Sequence, residues 1–111
     1  VAENDKFFAF LDINPLKKGH TLVVPKQETD YIFDLEDELL GEMMIFAKQV
    51  ARKIKQEIEC NRVAVVVLGL EVPHAHIHLI PIESENDVDF HREKLKLTPE
   101  EFSEIADKLS K

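Results

Sequence analysis

The run Val72-Pro73-His74-Ala75-His76-Ile77-His78-Leu79-Ile80-Pro81 places three histidines at alternate positions. Read as a β-strand, it sets His74, His76 and His78 in one row on one face and turns Ala75, Ile77 and Leu79 toward a core. Imidazole can serve as a nucleophile, a proton carrier or a metal ligand near neutral pH. A buried core has little use for three of them in register, so the row marks a functional site. Zinc is the competing use, because His-x-His on a strand can offer two imidazoles to one ion. With a rise of about 3.3 Å per residue, however, the first and third histidines lie about 13 Å apart along the strand, too far for one ion without a bend. Two of the three could share a metal only with a further ligand from His20, His91 or a carboxylate, and there is no His-Glu-x-x-His motif. The site is expected to need no metal.

Working outward, Val63 to Leu68 is an unbroken apolar, β-branched run that suits a strand buried on both faces. Gly69 to Pro73 then turns the chain into the histidine strand, and the two are expected to pair. Upstream, apolar residues from Leu39 to Ile58 recur at three- and four-residue steps, predicting a helix from about Leu35 to Glu59 with Asp34 as its cap and Met43 and Met44 in its core face. Lys6 to Leu11 and Thr21 to Val24 flank the turn residues Asn14 to Gly19, which reads as an antiparallel hairpin. Downstream, Glu83 to Asp89 is acidic and loop-like. Thr98-Pro99-Glu100-Glu101 combines a capping threonine, a first-turn proline and a glutamate three residues after the cap, opening a final helix. The expected fold is α+β, a single domain over residues 1–111 with an antiparallel sheet of about five strands, one long helix and a short C-terminal helix. The chain starts at Val1 without a methionine and enters a strand-like run within five residues, which leaves room for a segment ahead of it.

A hydrophobic content of 44% over 111 residues allows one modest core, and no stretch has the 18 or more apolar residues of a membrane span. A net charge of -8 argues against a protein that tracks a nucleic-acid backbone, so any phosphate must be held locally. Cys60 is the only cysteine, which excludes an internal disulfide and a cysteine-based zinc cluster and fits a reducing compartment. There is no charged-then-apolar leader, and a cytoplasmic location is expected. The apolar run Val63 to Leu68, together with Ile45 and Phe46 beside the main stripe of the long helix, exceeds what one small domain can cover, so a two-fold homodimer is expected through this strand and helix.

The stretch His74-Ala75-His76-Ile77-His78-Leu79-Ile80 resembles the histidine-triad signature. The upstream residues Phe10-Leu11-Asp12-Ile13-Asn14-Pro15 and Gly19-His20-Thr21-Leu22-Val23-Val24-Pro25-Lys26 match that family's first block in order and spacing. The resemblance implies a small homodimeric nucleotide hydrolase or transferase that needs no cofactor and cleaves nucleoside phosphoramidates or related nucleotidyl compounds, acting on phosphorus–nitrogen or phosphoanhydride bonds, with a purine nucleotide as partner. It maps the attacking residue, which forms a nucleotidyl-histidine, onto His76. His78 and His74 would contact phosphate oxygens or hold the ring of His76 in the attacking tautomer. Asp12 matches the carboxylate that accepts from the ribose hydroxyls, with a plain turn residue as the alternative. Ile13 lies where an apolar side chain packs against the base.

The chain also departs from that pattern. Gln27-Glu28 stand where many members carry a fourth histidine, Gly69-Leu70-Glu71-Val72 replace a Gly-Gln-Ser-Val run, and Val63 to Leu68 lack an asparagine. Glu71 is either a solvated turn residue or a carboxylate that orients a triad histidine. His20, at a strand start, is expected to make a structural hydrogen bond, and His91 to face solvent. Two other functions compete with the hydrolase: a nucleotide-binding interaction module with little turnover, and a histidine metal-binding protein.

Overall fold

The computed structural model describes residues 1–70 and 72–110. Five strands form one antiparallel sheet: β1 (Ala2–Glu3), β2 (Phe7–Leu11), β3 (Thr21–Pro25), β4 (Arg62–Val66) and β5 (Ile77–Ile82), in the spatial order β1-β2-β3-β5-β4. Two helices, α1 (Asp37–Glu57) and α2 (Pro99–Ser110), complete the α+β domain. Strands β2 and β3 form the expected hairpin, with Ala9 opposite Val23, and β4 pairs with β5. The two-residue strand β1, which extends the sheet beyond β2, has too little pattern to be read from sequence.

The core lies between the sheet and α1. Alternation in β2 and β3 sends Phe7, Ala9 and Val23 to the helix side, where Met43, Phe46, Ala47, Val50 and Ile54 meet them at helical spacing. Phe46 is part of this core, its ring 5.6 Å from that of Phe7, and does not lie beside the stripe. Met44, one step round the helix from buried Met43, is exposed instead. Asp34 does not cap α1. It closes a short 3₁₀ turn, Ile32–Asp34, and the helix starts at Asp37 behind Glu36, whose side chain makes no capping bond. The cap of α2 forms as read, with Glu101 N–H donating to Thr98 Oγ1 and Thr98 N–H to Glu101 Oε1, each at 3.1 Å. The acidic segment after β5 contains a 3₁₀ turn, Glu85–Val88, closed by Ser84 and Asp87.

Two differences from the sequence reading bear on the site. First, β4 is not buried on both faces. It is the outer strand of the sheet, Val65 is about half exposed, and Val67 and Leu68 lie beyond its end and are also exposed. Second, the histidine run is not one strand, because β5 begins only at Ile77 and His74 and His76 precede it. Pro73 has no N–H for a ladder. His74 N–H turns back on the Val72 carbonyl at 2.8 Å, and Ala75 N–H reaches the Thr29 carbonyl at 2.6 Å, beyond the end of β3. The strand-rise argument about metal spacing therefore does not apply to His74 and His76.

The hairpin turn needs its glycine. Gly19 has φ +93°, a region that side-chain-bearing residues rarely adopt, and a Cβ there would overlap the terminal methyl of Ile58. This turn places His20 immediately ahead of β3, beside the histidine run.

Candidate active site

Backbone carbonyls fix the tautomers of two of the three histidines. His76 Nδ1 lies 2.8 Å from the His74 carbonyl oxygen, and since a carbonyl only accepts, Nδ1 carries the proton. The neutral ring then presents a free lone pair on Nε2. His74 Nε2 lies 2.8 Å from the Pro25 carbonyl and is likewise the donor. The imidazole of His74 thus ties the bend to the end of β3, while its main chain, not its ring, orients His76.

His78 is oriented through His20. Leu16 N–H donates to His20 Nδ1 at 3.1 Å, so a neutral His20 keeps its proton on Nε2, which donates to His78 Nδ1 at 2.9 Å. That leaves the proton of His78 on its own Nε2. Both acceptor nitrogens in this pair are occupied, so a further proton can enter only by breaking a hydrogen bond. His20 is 1% exposed and His78 8%. Burial lowers the basicity of His78 to about 4, with the adjoining His20 and His76 acting in the same direction. Burial also lowers His20, against the opposing pull of Asp12, and Lys94 adds to the lowering. The rings of His76 and His78 meet edge to face with centroids 4.9 Å apart.

His20 makes the structural hydrogen bonds expected of it and is also an imidazole of the cluster, separate from the Gln27-Glu28 position. Its signal was parity. Leu22 pairs with His78 in the β3–β5 register, so His20, two residues earlier in the chain, projects from the same face as a diagonal neighbour.

Asp12 joins the same end of the site. Its Oδ1 accepts from Asn14 N–H at 2.8 Å, the hydrogen bond of a turn, and its Oδ2 lies 3.5 Å from His20 Nε2. Asp12, His20 and His78 each offer a ligand atom, all within 4.8 Å of one another. A metal-bound histidine normally donates its second ring N–H to an acceptor, but here the second nitrogen of His20 faces the Leu16 amide donor. The donor set suits a shared proton better than an ion.

Beside His74 and His76 opens an apolar cleft of about 260 Å³, completed by Phe10, Leu22, Val24 and Val72. A larger shallow groove, about 420 Å³, runs between Asn4–Phe7 and α1, but it holds no imidazole and is bridged by an ion pair of 2.8 Å between Lys6 and Glu42. Of these two clefts, the smaller is the one lined by histidines. Ile13 is 79% exposed on the turn and does not line that cleft. Glu71 lies outside the described residues. His91 is exposed, as expected.

The chain matches the HIT domain over residues 1–85. It is 33% identical to an uncharacterised HIT-like protein of Borreliella burgdorferi, an alignment covering 99% of this chain and 85% of that one. It is 37% identical to an adenosine 5'-monophosphoramidase of Saccharomyces cerevisiae over 77% of this chain, and spans 54% of that enzyme's length. Among solved structures it superposes on a HIT family protein of Bacillus anthracis with a TM-score of 0.74 at 33% identity, covering 99% of this chain and 84% of the other. With the triad, the hairpin block and the five-stranded fold in place, the chain belongs to the histidine-triad, or HIT domain, family.

Proposed function

We propose that the chain is a nucleotidyl hydrolase or transferase that cleaves nucleoside phosphoramidates or related nucleotidyl compounds through a covalent intermediate on His76. The observation that carries this reading is the bond from His76 Nδ1–H to the His74 carbonyl, which leaves the Nε2 lone pair free for attack. In the first displacement Nε2 bonds to the α-phosphorus as the amine or phosphate leaving group departs. In the second, water takes the nucleotidyl group from the imidazole. His78 offers its Nε2–H to a phosphate oxygen, held in line by His20. Asp12 retains acceptor capacity for the ribose hydroxyls, and the apolar cleft takes a purine face, with exposed Ile13 available to pack from outside. The yeast phosphoramidase among the relatives supports this substrate class.

The direct test is incubation with adenosine phosphoramidate, with release of AMP as the expected outcome. Tight nucleotide binding without AMP release would replace the enzyme by a nucleotide-binding module.

The same reading includes a two-fold homodimer. The outer strand β4 presents exposed Val65, with Val67 and Leu68 beyond it, and α1 presents Met44 and Ile45. Light scattering at micromolar concentration should report twice the chain mass, and a Val65→Lys substitution should shift the population to monomer. A monomeric unmodified protein would remove the dimer.

A further inference from the structure

The segment that follows β5 returns to the histidines. Leu95 N–H donates to the Pro15 carbonyl at 2.8 Å, pinning the segment to the hairpin turn that carries His20. The preceding 3₁₀ turn is fastened by Asp87, which accepts from Glu83 and Ser84 N–H and faces Arg92 at 3.4 Å. Between these anchors the ring of Phe90 stands edge-on to His78, with centroids 4.8 Å apart and planes at 67°. It also stands edge-on to His20, at 6.3 Å and 79°. Lys94 Nζ donates to the Phe90 carbonyl and to the Arg92 carbonyl and lies over the Phe90 ring, so it braces the segment locally. Asp87, Phe90, Arg92, Lys94 and Leu95 belong neither to the triad nor to the hairpin block.

We propose that Phe90 is a positioning residue: its ring seals the His20–His78 hydrogen bond from water and so keeps His78 turned toward the substrate phosphate. With the ring in place, water cannot compete for His78 Nδ1, and a proton arriving there has no hydration to offset its charge. Among the described residues, the other groups facing the pair are Asp12 after β2, His76 ahead of β5, and Lys94 in the segment that carries Phe90. Of these only Asp12 favours a cation. Opening the Phe90 side would let the pair take up a proton, break its internal bond and free the His78 ring to rotate.

The kinetic part of the test rests on the nucleotidyl-transfer reading, but the spectroscopic part does not. Proton NMR of the imidazole C–H signals, followed against pH in the ligand-free protein, should show the His78 midpoint rising by about one pH unit or more in Phe90→Ala and returning close to the wild-type value in Phe90→Leu. Turnover of adenosine phosphoramidate by Phe90→Ala should fall about twofold or more in kcat at pH 5 but stay nearly unchanged at pH 8, with KM nearly unchanged. A His78 midpoint that stays in place in folded Phe90→Ala overturns the proposal, as does a loss of kcat equal at both pH values. If the alanine variant does not fold, Phe90→Val decides, since it should move the midpoint in the same direction by less and an unmoved midpoint again overturns the proposal. A wild type without turnover would sink the enzymatic reading while leaving the NMR result to judge Phe90.

Discussion

Replacing His76 by alanine is expected to abolish the labelled nucleotidyl intermediate and to lower turnover by about 10³-fold or more, at least about 4 kcal/mol of transition-state stabilisation. Nucleotide should still bind, because the variant leaves Asp12, His78 and most of the apolar cleft in place. The measurement is a trap of radiolabelled nucleotide on both proteins beside an equilibrium titration. Persistent label on the alanine variant would move the nucleophile to another side chain. The size of the expected loss follows from the tautomer assignment. His74 Nε2 is the donor to Pro25, and the Nδ1 lone pair of His78 is occupied by His20, so neither neighbour presents the free Nε2 lone pair that His76 does.

The second large effect is on stability in acid. The basicity of His78 is lowered from an ordinary value of 6.5 to about 4 in the folded chain. The unfolded chain therefore binds a proton near pH 6.5 that the folded chain accepts only near pH 4. Unfolding takes up that proton anywhere between, so stability is full above about pH 6.5 and falls as the pH drops toward 4. At about 1.4 kcal/mol per pH unit, and with allowance for the solvent that reaches the ring edge, the loss attributable to His78 is about 2 to 3 kcal/mol. His20, buried and lowered for the same first reason, acts in the same direction. Urea unfolding at pH 7 and at pH 4 should show this loss in the wild type and a clearly smaller one in His78→Asn, which keeps an acceptor toward His20. Equal losses in the two proteins would mean that the pair is not the acid-sensitive element.

Much of the fold and part of the site were legible in the chain. Alternation in Phe7–Leu11 and Thr21–Pro25, the three- and four-residue steps through α1, and the Thr98 capping box are local signals, and local physics preserved them. The errors arose where a second element decided the outcome. Val63 to Leu68 reads as a doubly covered strand because apolarity shows that a surface is to be buried, not whether this chain or another molecule buries it. Phe46 and Met44 exchanged roles because a helix stripe two residues wide does not reveal where the facing sheet ends. The histidine row was read as a strand from its alternation, but Pro73 and the pull of Thr29 on Ala75 take its first half out of the ladder. The hydrogen bonding of His20 was legible, but its partner His78 was not, because that residue is 58 positions away and only the register of β3 on β5 brings the two rings together.

The amide that fixes the orientation of the His20–His78 pair belongs to the main chain of Leu16. A side-chain donor can be lost through any of many substitutions, whereas a peptide N–H survives every replacement at its position except proline. The direction in which protons are arranged along the two rings is thus insulated from most point changes at residue 16. It can be edited chiefly by changing the path of the turn or the rings themselves.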